Sequence, residues 1–458
     1  MIRLDPARLA KEAGAEIVRR GEGGHPARAV VDSREVAEGD LFFGLAGEHA
    51  DGGEFAGQAF HSRAWGVVVD PGWAGALDRA SAPGWVLAAE DPLAALQSLA
   101  RAWRRELGCP VVGVTGSTGK TSVKDICRAL LPGRVHASPE NFNTEIGLPL
   151  AILDAGEDTQ TLVLEMAMRG MGQIAELCEI AEPAVAAITN IGPVHLELLG
   201  TLEAIAEAKA EILSGLRPDG RAIVPADTEA LEPHLHDELW TITFGRGGDV
   251  FAESSRVEGG RTEALVGTPS GEARFLFPFT EAHNLTNALC AIGVGVALEA
   301  DPADLAARAP GIGFSRLRGE TIQLAGGISL INDCYNANPI SMRAALDHLA
   351  SVDAGRRIAI LGGMAELGPD APDYHREIGA HARDLEIDAV IGVGELARDY
   401  APDEWVGDAD AGAEVADRLL ADGDLVLVKG SRSVGLERLT DALVAMRQNH
   451  TRDPGGAR

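Results

Sequence analysis

Apolar and polar positions divide the chain into short buried runs and longer stretches with a period near 3.6. From Pro110 onward PVVGVTG, TLVLEM, AVAAITN and RAIVPA are apolar runs with no polar alternation. A strand covered on both faces reads this way, because neither face meets water. Between them SVKDICRALL and LEAIAEAKAEILSGL repeat apolar residues three and four apart, the spacing of amphipathic helices. Strands separated by helices predict a mostly parallel sheet with helices on both faces. DVFAESSRVE, RTEALVGT and EARFLFPF alternate instead and predict an antiparallel annex, followed by a helix over HNLTNALCAIGVGVALEA.

The pattern repeats on either side. ISLINDCYNA, RRIAILGG, DAVIGVG and DLVLVKG are strands of a second doubly wound unit, closed by a helix over RSVGLERLTDALVAM. Before residue 90, VVDSREV, GDLFFGL, WGVVVD and GWVLAAE predict a small α/β unit of short strands. Asp91 and Pro92 occupy the N-cap and first helical position of PLAALQSLARAWRREL, which should stop at Gly108. The expected fold class is therefore α/β in three domains. Residues 1–90 form a small N-terminal domain, 91–314 a central domain, and 315–458 a Rossmann-like doubly wound domain, with hinges near residues 91 and 315.

Composition narrows the function. The 458 residues are too many for one core, and 46% are apolar, enough to fill several. A net charge of −29 argues against a nucleic-acid partner, which needs stripes of Lys and Arg. The cysteines at 109, 127, 178, 290 and 334 are scattered without a C-x-x-C pair. A disulfide framework or zinc site is not expected, and a reducing cytoplasm suits the chain. MIRLDPARLAKEAG has no apolar signal core, and no run is long enough to span a membrane. The polar tail HTRDPGGAR is expected to fray, and the chain to act as a monomer.

Candidate chemistry concentrates after the central strands. GVTGSTGKTS sits between a buried strand and a helix. Gly116 and Gly119 let the loop turn its N–H groups toward an anion, as Thr115, Ser117 and Thr118 complete the cradle. The helix start at Ser122 adds partial positive charge. Lys120 can reach terminal phosphates, and the Thr121 hydroxyl can bind Mg2+. The loop departs from G-x-x-x-x-G-K-[ST], since Val114 stands where the first glycine belongs.

Glu165 ends TLVLEM and His195 follows AVAAITN, so both reach the sheet edge where open α/β sheets bind ligands. Glu165 is a hard oxygen ligand for Mg2+; it could equally be a strand-end carboxylate in water. A lone histidine is more often a bonded loop residue than a ligand, and its place at this edge favours the site. Lys209 falls inside the apolar stripe of Leu202, Ile205, Ala206, Ile212, Leu213 and Leu216. Its head either snorkels to water or is held neutral, and a neutral amine can add CO2 to become an anionic carbamate. His283-Asn284 opens a helix. Asp333 and Asn336 follow a strand and are candidates for ribose or adenine, although Asn-Pro is also a turn signal. Lys429, Ser431 and Arg432 offer cations and a hydroxyl to a carboxylate or phosphate.

Taken together these segments resemble the Mur ligase family over nearly the whole chain. That family's loop is the shorter T-G-x-x-G-K-[ST], here Thr115 to Thr121. Asp32-Ser33-Arg34 and GDLFFGLAGEHADGGEF resemble its uridine-binding N-terminal segment. Asn141-Phe-Asn-Thr-Glu-Ile-Gly147 resembles N-x-N-x-x-I-G. The resemblance assigns Ser33, Arg34, Asn141, Asn143 and Thr144 to a UDP-linked substrate. It puts Glu165 and His195 at metal positions, Lys209 at a carbamylated lysine, and His283, Asn284, Arg318, Asp333 and Asn336 on ATP. Lys429, Ser431 and Arg432 fall to the incoming dipeptide. Two departures stand out. Gly363 replaces an acid in LGGMAELG, and SRLRGE leaves Arg316 as an alternative to Arg318.

Within the family, DCYNANPISM, MAELG and LVKGSRS point to the member that joins D-Ala-D-Ala to UDP-N-acetylmuramoyl-tripeptide. A sister ligase carries a D-N-P-R motif that this chain lacks. The resemblance implies ATP and Mg2+ as cofactors and an acyl-phosphate intermediate. Rival readings are a folylpolyglutamate-type or cyanophycin-type ligase and a non-catalytic nucleotide-sensing protein. The uridine-like N-terminal block argues against the first two, and the Glu165, His195 and Lys209 set against the third.

Overall fold

A computed structural model describes residues 3–79, 84–139 and 141–450. The tail expected to fray lies almost wholly outside them. The central sheet has six parallel strands in the order Trp240–Phe244, Arg221–Pro225, Val185–Ile188, Val111–Thr115, Thr161–Glu165 and Val135–Ala137. Alternate residues of its strands enter two cores. Val111, Leu162 and Leu164 face one side, and Val112, Val114 and Val163 the other. Period-2 geometry with both faces buried explains why these strands read as unbroken apolar runs. The second core also takes the helix Ala282–Ala297 and the antiparallel sheet of Phe251–Glu258, Arg261–Thr268 and Gly271–Phe277.

The C-terminal sheet runs Glu320–Gln323, Ser329–Asn332, Leu425–Lys429, Arg357–Gly362, Ala389–Val393 and Glu404–Val406. All its pairings are parallel except the first. Ile358, Ile360, Val426 and Val428 fill one side and Ala359, Leu361, Leu425 and Leu427 the other. The N-terminal sheet is five-stranded, with Glu16–Arg19 antiparallel at its edge beside Trp85–Ala88.

The helix Pro92–Leu107 starts on Asp91, whose carboxylate accepts the N–H groups of Leu93 and Ala94 at 2.9 and 3.1 Å. It ends at left-handed Gly108, φ 63°. Its face of Ala95, Leu96, Leu99, Ala100 and Trp103 lies in one continuous core with Leu41, Phe43 and Val68 of the first body and Leu148, Leu162 and Leu164 of the central one. A hinge was expected near residue 91. Next to that position the structure has a core shared by the two bodies.

Near residue 315 the connection differs. Asp125, on the helix Lys120–Leu130, accepts the Ser315 N–H at 2.8 Å and its hydroxyl at 2.7 Å. The chain entering the C-terminal body is thus tied to the helix that carries the phosphate loop.

Candidate active site

The loop after Val111–Thr115 has the geometry an anion cradle needs. Gly116 and Gly119 have φ of 145° and 79°. A Cβ on Gly116 would lie 1.9 Å from the Thr189 hydroxyl, so only glycine fits. The segment after the neighbouring strand braces the loop. The Ser117 N–H donates to Asn190 O at 3.0 Å, the Thr118 N–H to Asn190 Oδ1 at 2.9 Å, and the Ser117 hydroxyl to Gly192 O at 3.0 Å. Thr189 and Asn190 were not singled out from the sequence; their place one strand along from the loop is the signal that could have found them. Lys120 folds back over the loop, Nζ donating to Gly116 O at 2.7 Å.

Thr121 and Glu165 meet at the head of the sheet. The Thr121 hydroxyl donates to Glu165 Oε2 at 2.9 Å, and Asn143 Nδ2 donates to Oε1 at 3.0 Å. Arg318 comes from the C-terminal body. Its Nη2 donates to Thr121 Oγ1 at 3.1 Å, and its guanidinium stacks 3.9 Å from the Tyr335 ring centroid. Arg316 is exposed and makes no such contact. Burial alone would raise the Glu165 carboxyl, but the Lys120 and Arg318 cations outweigh it and hold the group below its usual value.

A cleft of about 850 Å³ opens between the central and C-terminal bodies. Ser117 to Ser122, Asn143, Thr144, Glu165, His195, His283, Asn284, Arg318, Asp333, Asn336 and Lys429 all line it. Lys209 lies behind the wall, 2% exposed, near enough to Lys120 and His195 for their charges to interact. Burial, reinforced by the Lys120 cation, pushes its amine well below the usual lysine value. Among the described residues it has no hydrogen bond or ion pair. No carboxylate offsets its charge, and lowering of this kind favours the neutral form to which CO2 adds. The His195 imidazole is also lowered by burial, which the Glu366 carboxylate opposes.

Other expected residues divide. Lys429 Nζ is spent on Asp333 Oδ2 at 2.7 Å and Asn336 O at 3.0 Å. Asn284 hydrogen-bonds Glu281 at 3.4 Å. Ser431 does not line the cleft; its hydroxyl accepts the Ala365 N–H at 2.9 Å. Arg432 points away toward Glu437 at 3.5 Å. Ser33 and Arg34 sit apart on the first body, Arg34 paired with Asp32 at 2.5 Å. Asn141, with φ 67°, accepts from the Tyr335 hydroxyl. At Gly363 a Cβ would come within 2.7 Å of Leu396 Cβ, so the residue that stands where the family has an acid has little room.

Hard oxygen donors at Thr121 and Glu165, with no cluster of three His, Cys, Asp or Glu among the described residues, suit an Mg2+ ion whose shell is completed by phosphates and water. What these side chains can do together is hold a chain of phosphates against a second substrate arriving from the facing body. That defines a phosphate-loop, nucleotide-dependent enzyme.

Comparison with known proteins makes the class specific. The Mur ligase middle domain matches residues 114–295, and the Mur ligase glutamate ligase domain matches residues 317–432. The UDP-N-acetylmuramoyl-tripeptide–D-alanyl-D-alanine ligase of Bacillus subtilis is 36% identical over 90% of this chain and 92% of its own. A crystal structure of MurF from Acinetobacter baumannii superposes with a TM-score of 0.86 at 26% identity, covering 97% of this chain and all of the other. MurF from Thermotoga maritima in complex with ADP gives 0.79 at 30% identity, covering 92% of this chain and 98% of that one. The chain belongs to the Mur ligase family and has its three-domain α/β fold.

Proposed function

We propose that the protein is an ATP-dependent, ADP-forming amide ligase. It joins D-Ala-D-Ala to UDP-N-acetylmuramoyl-tripeptide, a cytoplasmic step of peptidoglycan precursor synthesis, and works as a monomer. The observation that carries this reading is the meeting of Thr121, Glu165, Lys120 and Arg318 at one cleft, in a chain 36% identical to a relative with that named activity. The domains are taken as residues 1–90 for the UDP-linked substrate, 91–314 for ATP and 315–458 for the C-terminal unit.

The tripeptide carboxylate attacks the γ-phosphorus, the bond to the bridging oxygen breaks, and ADP leaves. The amine of D-Ala-D-Ala then attacks the acyl carbon of the acyl phosphate. A tetrahedral intermediate collapses, phosphate departs and the amine loses a proton. Two anions must approach in the first step, so cations decide the rate. Lys120 would swing from Gly116 O to the terminal phosphates, and Arg318 from Thr121 to the same charge. Thr121 and Glu165 would hold one Mg2+, and His195 with a carbamylated Lys209 a second. Bound there, the ions offset the charge on the phosphates and the carboxylate. Lys209 gains its carbamate when its nitrogen bonds CO2 and releases a proton, and the Lys120 cation then favours the new anion.

The test is ADP release with each substrate omitted in turn. Release should require ATP, the UDP-linked tripeptide and D-Ala-D-Ala together; release with glutamate and a folate instead would overturn the assignment. Lys120→Ala should abolish turnover. Lys209→Ala should be nearly inactive and partly restored by short carboxylic acids, and full activity in that variant would remove the carbamate from the mechanism.

A further inference from the structure

Two non-glycine residues with left-handed backbones face each other across the boundary between the central and C-terminal bodies. His195, φ 55°, heads the short helix Leu196–Leu199. Glu366, φ 62°, lies in the turn after the strand Arg357–Gly362. Such conformations are unfavourable for residues with a Cβ and persist where the surroundings enforce them. Here the surroundings are each other. His195 Nδ1 is 2.5 Å from Glu366 Oε2. The Glu197 N–H donates to Glu366 O at 3.4 Å. Gly368, φ 69°, packs so closely that an added Cβ would come within 3.3 Å of the Glu197 Cα. Arg169 Nη2 stands 4.0 Å from the other carboxylate oxygen.

An imidazole has two nitrogens, and a hydrogen bond at one fixes the role of the other. With Nδ1 taken, Nε2 remains for the cleft that the ring lines. A carboxylate behind a ligating histidine fixes the tautomer and ring angle and raises the basicity of the free nitrogen.

We propose that Glu366 is a positioning residue for His195: it accepts the hydrogen bond from Nδ1–H, fixing the tautomer that presents the Nε2 lone pair to a divalent cation. Docking of the C-terminal body then becomes part of building the metal site. This rests on the reading of His195 as a metal ligand.

The test uses the full chain with a non-hydrolysable ATP analogue and Mn2+ as the probe, followed by electron paramagnetic resonance. His195→Ala should weaken the weaker Mn2+ step. Glu366→Ala should weaken the same step by roughly 10–100-fold, the range for removing a partner behind a metal ligand. Glu366→Gln keeps the shape of the side chain, so it carries the test if the alanine variant fails to fold, and it should also weaken that step. In turnover, the Glu366 variants should need more Mg2+ for half-maximal rate and regain kcat at saturation. A purely architectural role would lower the rate at every Mg2+ concentration. If His195→Ala weakens Mn2+ binding but the Glu366 variants do not, this inference fails and the ligand reading stands. If His195→Ala changes nothing, the ligand reading itself falls.

Discussion

Lys209 and Lys429 are equally buried, at 2% exposure, and opposite in character. Lys429 has a carboxylate at 2.7 Å, whereas Lys209 has no carboxylate partner and lies near the Lys120 cation. Pairing decides what burial does to a charge. Asp333→Ala should therefore destabilise the fold, by up to about 3–5 kcal/mol, because it strands the Lys429 ammonium. Lys209→Met should raise the melting temperature while removing activity, because it takes an unpaired amine out of the core. Thermal melts at neutral pH without bicarbonate check both, and a Lys209→Met protein less stable than the parent would show that the amine has a partner. The sequence made Lys209 visible because a charge interrupts a helical stripe. It did not reveal that Lys429 is committed to Asp333, since the two lie on separate strands and only folding brings them together. Glu366 was hidden for the same reason: MAELG is a readable motif, but its carboxylate acts on a histidine from another body.

Among elements, the strands that the apolar pattern failed to name share a position. Glu16–Arg19, Val135–Ala137, Trp240–Phe244, Glu320–Gln323 and Glu404–Val406 are all at sheet edges. An edge strand is covered less, so it needs no apolar run, and its signal is weak. Central strands and capped helices were legible because burial on two faces and a cap each demand particular residues. The helix Lys120–Leu130 shows what pattern alone does not show. Thr121 and Asp125, one turn apart, tie down Arg318 and Ser315 of the incoming chain. Asp125→Ala should release that segment. Amide exchange around residues 312–319 should speed up, and nucleotide affinity should fall as Arg318 loses its placement. Unchanged protection would mean that the tie is incidental.

At the scale of the whole molecule, the shared core around Pro92–Leu107 packs the first and central bodies together, and they are expected to move as one piece. The C-terminal sheet has cores of its own on both faces. Motion on ligand binding is expected at the residue 315 connection, with the C-terminal body moving as a unit and shielding the acyl phosphate from water. Small-angle scattering should show a smaller radius of gyration with an ATP analogue and the UDP-linked substrate together. An unchanged envelope would count against closure.

That fused pair has a further consequence. If the nucleotide-sugar end of the substrate is anchored on the first body, its distance to the phosphate loop is set by packed side chains and does not adjust. An extended peptide residue spans about 3.3–3.6 Å, so a precursor one residue too short leaves its carboxylate outside bonding range of phosphorus. The molecule would then select its substrate by length, as a caliper does, before any side chain is recognised.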